Sequence, residues 1–273
     1  MKRIFLLFSV VCMVQLHAQK SLVKLWSSDT LLPVPESVLY DAGDKLLYVS
    51  LIDGNYNTKD GKGEIARVGL DGKIINAAWV KGLNAPKGLG RYKNYLYAAD
   101  LTEVAVIDIQ KAQVIKRIPV EGAKFLNDIT VDANGVVYVS DTETGKVHAI
   151  KDGVVTTFLT GIKGANGLLA LKDKLFVLAN GVVLEASKDG KTTVFAKGLD
   201  ASTDGIEQVS PGTFIVTAWS GIIYIVTKGA EPLVLLNTTA AKVNSADIGY
   251  DAVHKIVYVP TFLKNNVVAY QLK

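Results

Sequence analysis

Six short segments of the chain open in a similar way, and in five of them the second residue has a polar or charged side chain. These residues are spaced by 51, 40, 39, 38 and 42 positions, and they are Glu36, Lys87, Asn127, Asn166, Asp204 and Ala246. Four of the six carry a side-chain oxygen. Oxygen ligands from Glu, Asp and Asn suit a hard divalent cation such as Ca²⁺, Mg²⁺ or Mn²⁺. The alternative is that these positions are polar because they line a water-filled channel.

The spacing also indicates the elements that must position these residues. Short runs of β-branched and aromatic residues follow the segments, for example at 46–49, 95–98, 136–139, 214–216 and 256–259. Such runs, bounded by Gly, Asp and Asn, are typical of β-strands, and the Asp-Gly pairs at 71–72, 152–153 and 189–190 are typical of hairpin turns. A repeat of about 40 residues with four short strands is the signature of a β-propeller blade.

The strand pattern predicts how the ring closes. The third unit shows four strand-like runs, at 127–131, 136–140, 145–150 and 154–159, whereas the last unit shows only three and ends at Leu272. We predict that residues 22–26 supply the missing strand, which would hide two exposed sheet edges. The predicted fold is therefore all-β: a six-bladed β-propeller of four-stranded antiparallel blades, formed by a single domain over residues 19–273. Two stacked β-sandwiches are the alternative, but they would not require a six-fold period.

In a propeller the first strand of each blade lines the central channel. The six positions would then be neighbours in space although they lie about 40 residues apart in sequence.

The first 18 residues predict a secretory signal peptide. Lys2 and Arg3 precede an apolar run over residues 4–16, and the small residue Ala18 follows it. The run of 13 residues is shorter than the roughly 20 that a membrane-spanning helix requires. A buried first helix is the alternative, but it would have no polar face. We expect an exported protein, periplasmic or secreted.

Composition excludes several other classes. Without the signal segment the chain has 28 basic and 26 acidic residues and no basic run, which argues against nucleic-acid binding. No second apolar segment is long enough to span a membrane. The single cysteine, Cys12, excludes a disulfide framework and a cysteine-rich zinc site. No Gly-x-Ser-x-Gly motif occurs, so a serine hydrolase is not predicted. The expected partner is a small-molecule substrate.

Several motifs give the chain a family resemblance. They are Pro-Glu at 35–36, Leu-Asn-Asp at 126–128 followed by Asp-Ala-Asn-Gly at 132–135 and Tyr-Val-Ser-Asp at 138–141, Asn-Gly at 166–167, and Asp-Gly at 204–205. With these motifs the chain resembles the gluconolactonase, regucalcin (senescence-marker protein) and paraoxonase-like family of six-bladed propellers. The resemblance extends over essentially the whole chain after residue 18.

The resemblance implies a metal-dependent lactonase or esterase. A single cation would be held by Glu36, Asn166 and Asp204, with Asn127 either contacting the substrate or joining the metal ligands. Ca²⁺ is the expected ion, and Mg²⁺, Mn²⁺ and Zn²⁺ are the alternatives. The cation would polarise a lactone or ester carbonyl and lower the pKa of a bound water. Asp204 would be the catalytic general base.

Departures from the family pattern concern the substrate. Sugar-lactone members often carry an arginine where this chain has Phe125, and the paraoxonase-like histidine pair has no counterpart. Lys87 would bind an anionic substrate or extend to solvent at the channel mouth, two interpretations left open. The substrate-binding candidates are Asn127, Lys87, Phe125, Asp141 and Trp219.

Each of these interpretations has a plainer alternative. Asp141 ends a strand, and aspartate there is also an ordinary turn former. Trp219 is a type of residue that more often packs in a core than binds a sugar. The insertion over 53–63 is interpreted as a hairpin loop that covers one face. A non-catalytic exported propeller that binds a ligand or a protein is the second functional hypothesis.

Overall fold

The fold was analysed on a computed structural model, which describes residues 20–273. The predicted signal peptide, residues 1–18, lies outside the described residues. Within them, 24 β-strands form six separate four-stranded sheets, and all pairings within the sheets are antiparallel. The predicted six-bladed β-propeller is confirmed. In residues 20–273 no helix is long and apolar enough to cross a membrane.

The first three blades follow one another along the chain. Blade 1 contains β2 (Pro35–Asp41), β3 (Leu46–Leu51), β4 (Gly63–Gly69) and β5 (Ile74–Leu83). Blade 2 contains β6 (Pro86–Tyr92), β7 (Tyr95–Asp100), β8 (Glu103–Asp108) and β9 (Gln113–Pro119). Blade 3 contains β10 (Leu126–Val131), β11 (Val137–Asp141), β12 (Lys146–Lys151) and β13 (Val154–Leu159).

The remaining blades repeat this order. Blade 4 contains β14 (Ala165–Leu171), β15 (Lys174–Ala179), β16 (Val182–Ser187) and β17 (Thr192–Lys197). Blade 5 contains β18 (Thr203–Ser210), β19 (Thr213–Ala218), β20 (Ile222–Thr227) and β21 (Leu233–Asn237). Blade 6 contains β22 (Gly249–Asp251), β23 (Ile256–Pro260) and β24 (Val267–Leu272), completed by β1 (Leu22–Ser27). Two short 3-10 turns lie at Thr239–Ala241 and Phe262–Lys264.

The N-terminal strand closes the ring as predicted. β1 pairs with β24 in antiparallel register, with Leu22 opposite Leu272 and Val23 opposite Gln271. The pair continues past the strand ends, where the N–H of Lys273 donates a 3.0 Å hydrogen bond to the carbonyl of Ser21. The last blade therefore obtains its outermost strand from the other end of the domain, and the ring has no open sheet between its first and last blades.

Apolar side chains hold the blades together. Six buried hydrophobic clusters fill the six boundaries between neighbouring blades. Between blades 4 and 5, for example, the rings of Phe176 and Phe214 lie 4.5 Å apart. Between blades 6 and 1, Tyr258 stacks on Tyr40 at 5.9 Å. Burial of these large side chains is the main stabilising contribution to a ring whose strands are short.

The innermost strands surround the channel axis closely, and one glycine shows how closely. A Cβ atom at Gly205 of β18 would lie 2.6 Å from the backbone nitrogen of Ile248 and 2.9 Å from the Cα of Asp247. Real Cβ atoms do not approach backbone so closely, so the neighbouring blades meet here only because residue 205 has no side chain.

Candidate functional site

A cavity of about 560 Å³ opens at one end of the channel. Its inner part, the polar floor, consists of five predicted residues, all of them buried except the half-buried Asn166: Glu36, Lys87, Asn127, Asn166 and Asp204. Its outer part, the apolar rim, consists of Tyr56, Phe125, Trp219, Phe262 and Leu263. The structure thus brings together seven of the eight site residues expected from the sequence.

Each floor residue is the second residue of an innermost strand, and a repeated irregularity turns it into the channel. The pairing of β2 with β3 is continuous from Val38 onward but breaks between Pro35 and Val38, so Glu36 has no partner in the ladder. The same shift recurs at the start of β6, β10, β14 and β18. β-Bulges re-aim side chains in this way. The sixth position, Ala246, precedes the regular strand β22 and carries no polar group.

Asn166 and Asp204 form a defined pair in the floor. The Nδ2 of Asn166 donates a 3.0 Å hydrogen bond to Oδ1 of Asp204 and a 3.2 Å hydrogen bond to the carbonyl of Thr203. The Oδ1 of Asn166 is buried and has no hydrogen-bond partner in the part of the chain that the structure describes. Oε2 of Glu36 is likewise buried and without a hydrogen-bond partner among these residues. Buried acceptors without a donor are costly, and a bound cation would satisfy both.

Asn127 offers the floor an amide whose nitrogen is already engaged. Its Nδ2 donates a 3.1 Å hydrogen bond to the hydroxyl of Thr142, which in turn donates to the carbonyl of Ala165 at 2.7 Å. Because the nitrogen is held, the other end of the amide, its oxygen, is the end available to a ligand.

The acidic floor residues share an unfavourable electrostatic environment. Burial raises the pKa of Glu36 well above its usual value, the negative charges of Asp204 and Asp247 add to the increase, and Lys87 opposes it. Burial likewise raises the pKa of Asp204, with Asp247 adding, whereas the hydrogen bond from Asn166 lowers it. Two buried carboxyl groups whose charges repel each other favour a positive charge placed between them.

Lys87 is the basic residue of the floor, and its ammonium group is held inside. Its Nζ donates hydrogen bonds to the carbonyls of Ala85 (3.0 Å) and Tyr56 (3.1 Å) and lies 4.4 Å from the centre of the Phe125 ring. Burial lowers its pKa to about 8, although Glu36 and Asp100 counteract the effect. The residue is 2% exposed, so it does not extend to solvent. The interpretation that Lys87 extends to solvent is therefore wrong, and binding of an anionic substrate stays a prediction.

Asp141 is the predicted site residue that the structure does not place with the others. It is fully buried, and its carboxylate accepts hydrogen bonds from the backbone N–H groups of Lys124 (3.1 Å) and Phe125 (3.0 Å). Asp100 does the same for Asn84 and Ala85 one blade earlier. These strand-end aspartates fasten the segment that leads into the next blade, and Asp141 thereby positions Phe125.

Tyr56, Phe262 and Leu263 line the cavity but were not predicted. Tyr56 belongs to the connection between β3 and β4, and Phe262 and Leu263 follow β23, just as the predicted Trp219 follows β19. All of them therefore lie in the connection between the second and third strands of a blade. An aromatic residue recurring at this point of the repeat is the signal that could have found them. From the insertion over 53–63, Tyr56 lines the cavity.

The other chemically capable residues lie elsewhere. Neither His148, in β12, nor His254, in the turn after β22, lines the cavity. Across residues 20–273 no group of three or more His, Cys, Asp or Glu side chains is arranged to hold a metal ion. A metal in the floor would therefore depend on amide oxygens as well as carboxylates.

Further acids lie towards the other end of the channel. There Asp128, Glu207 and Asp247 line a second cavity of about 300 Å³. Asp128 accepts hydrogen bonds from the N–H of Leu168 in the next blade, and Asp247 accepts a 2.5 Å hydrogen bond from the hydroxyl of Ser37. These acids connect neighbouring blades, blade 3 to blade 4 and blade 6 to blade 1.

Comparison with known proteins supports the fold and leaves the chemistry open. No protein-family model matches the chain, and no curated protein matches it in sequence. The structure is similar to a streptogramin B lyase, with a TM-score of 0.67 and 11% identity over 93% of this chain and 98% of that one. It is also similar to a catalytically inactive histidine-to-alanine variant of virginiamycin B lyase from Staphylococcus aureus with quinupristin, with a TM-score of 0.64 and 13% identity over 93% and 99%.

A further similar structure is a nidogen/laminin complex, with a TM-score of 0.62 and 15% identity over 76% of this chain and 84% of that chain. These neighbours include an enzyme and a protein-binding propeller. At such low identity they establish that this chain has the six-bladed propeller fold, which hosts both kinds of function.

Proposed function

We propose that the cavity is the active site of an exported, divalent-cation-dependent hydrolase that opens a lactone or ester, of the gluconolactonase-like type. The proposal rests on buried oxygens of Glu36 and Asn166 that have no hydrogen-bond partner among residues 20–273 and that line one cavity with the carboxylate of Asp204. Buried oxygens in a folded protein normally accept a hydrogen bond, and an oxygen that has no donor can instead bind a cation.

The floor residues fit such an ion. Glu36, Asn166 and Asp204 supply carboxylate and amide oxygens, with the Asn127 oxygen next to them, and this all-oxygen set suits Ca²⁺ best. Mg²⁺ and Mn²⁺ take similar ligands, whereas Zn²⁺ favours the histidine and cysteine ligands that the floor lacks. The two floor carboxylates outnumber the single ammonium group of Lys87, so a divalent ion would also offset the excess negative charge.

Each floor residue then has a distinct task in the reaction. When bound, the cation would polarise the substrate carbonyl and make water more acidic. Glu36 and Asn166 hold the ion. The Oδ2 of Asp204, the oxygen that Asn166 does not contact, accepts a proton from the attacking water and returns it to the departing alkoxide. Burial and the charge of Asp247 raise the pKa of Asp204, and the hydrogen bond from Asn166 lowers it.

A histidine-based reaction has less support in this chain. The inactive virginiamycin B lyase carries alanine in place of a histidine. Here neither His148 nor His254 lines the cavity. Carboxylate chemistry is therefore the better match to the residues present.

Metal analysis combined with a lactone panel tests the proposal. Protein purified without chelator is expected to contain about one Ca²⁺ per chain, and to hydrolyse lactones or esters with an activity that chelation removes. Glu36→Gln and Asp204→Asn should each weaken Ca²⁺ binding at least 100-fold in calorimetric titration and abolish turnover. Asp173→Asn, at an exposed turn, is the matched control and should change neither. A wild-type protein without bound metal and without turnover would contradict the proposal.

The exposed rim favours the second candidate, a non-catalytic binding propeller. Trp219 is 39% exposed and Leu263 is 61% exposed, and exposed aromatic residues around a cavity are typical of binding sites in general. The same Glu36 and Asp204 variants discriminate the two functions, because a purely binding propeller would retain its ligand after the metal is lost.

A further inference from the structure

Four aromatic rings surround the mouth of the cavity in two pairs. Tyr56 and Phe125 meet edge to face with their ring centres 6.2 Å apart, and Trp219 and Phe262 do the same at 5.5 Å. Edge-to-face contact is a preferred geometry for aromatic rings and holds each pair together.

The two pairs lie on opposite sides of the mouth. Phe125 belongs to the connection between blades 2 and 3, next to the blade 1 loop that carries Tyr56. Trp219 belongs to blade 5 and Phe262 to blade 6. In a ring of six blades, the boundary between blades 2 and 3 faces the boundary between blades 5 and 6. Both pairs therefore line the cavity that a ligand would enter, one towards each of these boundaries.

The first pair is fixed from below. The backbone carbonyl of Tyr56 accepts the hydrogen bond from the buried Nζ of Lys87, and the same Nζ lies against the Phe125 ring. The backbone N–H of Phe125 is held by the buried carboxylate of Asp141. The donors of Lys87 thus serve to hold this side of the mouth in place.

The second pair is fixed as firmly. The backbone of Trp219 is held on both sides, since its N–H donates to the carbonyl of Ser202 at 2.7 Å and its carbonyl accepts a 2.9 Å hydrogen bond from Asn244. Phe262 packs on a small apolar cluster that contains the buried side chain of Ile52. Preorganised aromatic side chains bind apolar ligands without a large loss of conformational entropy.

We infer that the site takes a lactone or ester bearing a flat apolar ring, and that the two aromatic pairs hold this ring while the carbonyl reaches the polar floor. This inference rests on the proposed function for the reacting carbonyl. A polyhydroxylated lactone would place its hydroxyls against four rings that offer only one hydroxyl and one indole N–H, and unpaired hydroxyls are unfavourable in an apolar site.

A small molecule fits this mouth better than a protein does. The cavity volume of about 560 Å³ is within the range of small-ligand sites. A stable protein–protein interface buries about 800 Å² on each partner. Only three side chains of the rim are exposed, those of Tyr56, Trp219 and Leu263, so the exposed part of the rim is small beside such an interface.

Binding of two unreactive lactams separates the ring contribution from catalysis. The probes are 3,4-dihydro-2-quinolinone, which carries a fused benzene ring, and 2-piperidinone, which lacks it. We expect the wild-type protein to bind the fused compound at least tenfold more tightly in calorimetric titration, and to quench Trp219 fluorescence on binding. Trp219→Ser and Phe262→Ser should each reduce this preference to less than threefold without weakening 2-piperidinone. Tyr95→Ser is the control, because Tyr95 is an exposed aromatic residue at the start of β7 in blade 2 and does not line the cavity.

The corresponding lactones complete the test. Hydrolysis of dihydrocoumarin should exceed that of δ-valerolactone and of glucono-δ-lactone at least tenfold in kcat/KM. Equal binding of the two lactams, or faster turnover of glucono-δ-lactone, would overturn the inference even if hydrolysis is observed. A tenfold lactam preference without hydrolysis of any lactone would instead support the aromatic mouth and contradict the proposed hydrolase.

Discussion

The amide nitrogen of Asn166 donates a 3.0 Å hydrogen bond to Oδ1 of Asp204, across the boundary between blades 4 and 5. The other hydrogen bond of this nitrogen goes to the carbonyl of Thr203. The two bonds fix the amide, and its buried oxygen has no hydrogen-bond partner in the described part of the chain. Asn166 therefore orients Asp204 and presents a ligand oxygen at the same time. An aspartate could not donate these hydrogen bonds, and a leucine could neither donate them nor supply an oxygen.

Replacement of Asn166 tests this double role. Asn166→Leu removes the ligand oxygen and leaves two acceptors without a donor, so Ca²⁺ affinity should fall at least tenfold and stability by about 1–2 kcal/mol. Calorimetric titration and urea unfolding measure the two effects. Asn94→Leu is the matched control, because Asn94 donates an equivalent 3.0 Å hydrogen bond to Asp108 far from the cavity. A similar loss of Ca²⁺ affinity in the control would contradict a local role for Asn166.

Glu207 is expected to make stability fall as the pH rises. Burial in the channel raises the pKa of Glu207 from 4.5 to about 8, and the charge of Asp247 adds to the increase. The native state therefore keeps a proton that the unfolded chain loses. The resulting stabilisation is complete below pH 4.5 and disappears as the pH rises through 8.

Glu207→Gln removes this ionisation. Between pH 5 and pH 9 the variant should lose about 2 kcal/mol less stability than the wild type, after allowance for water in the channel. Part of the slope should remain, because burial also raises the pKa of Asp247 to about 7. Urea unfolding at several pH values measures the slope, with Glu121→Gln at an exposed position as the control. Identical slopes for Glu207→Gln and wild type would show that Glu207 ionises normally in the native protein.

The close approach of blades 5 and 6 should make Gly205 intolerant of a side chain. A Cβ atom would lie 2.6 Å from the nitrogen of Ile248, so Gly205→Ala must push backbone apart and should cost about 3 kcal/mol. Thermal unfolding should show a melting temperature lowered by several degrees. Gly43→Ala, in an exposed turn whose near neighbour is a side-chain oxygen at 3.3 Å, should have little effect. Equal effects of the two substitutions would disprove the steric explanation.

Ring closure should depend on Trp26. Its indole N–H donates a 2.9 Å hydrogen bond to the carbonyl of Leu70 in blade 1, and its ring packs 5.9 Å from Tyr258 in blade 6. Trp26→Ala should destabilise the protein by about 3 kcal/mol in urea unfolding because both contacts are lost. Leu25→Ala on the same strand, where the side chain is 46% exposed, should cost far less. A comparable loss in both variants would mean that Trp26 has no special part in closure.

The repeat made the polar floor predictable. Because each blade repeats the same strands, equal positions in the repeat occupy equal positions in the ring, and Glu36, Asn127, Asn166 and Asp204 could be brought together from their spacing. The bulge that turns these side chains into the channel was not foreseen. It depends on two residues per strand losing their ladder partners, and no residue type marks that event in the sequence.

The roles of the residues around the floor were harder to predict from the sequence. Asp141 was expected to meet substrate, yet it is buried under the backbone of Phe125. Strand-end aspartates look alike in sequence whether they face a cavity or accept hydrogen bonds from a neighbouring segment. The interior position of Lys87 depends on the carbonyl of Tyr56, which comes from an insertion outside the periodic pattern.

The sequence by itself determined the number of blades, the strand that closes the ring and the identity of the polar floor, because all three follow from a periodic pattern of local strand and turn preferences. Only the tertiary structure decided which oxygens remain without partners and which aromatic rings face one another across the mouth. Those relationships depend on distances between residues of different blades, which are set by packing of the whole ring rather than by any local stretch of chain.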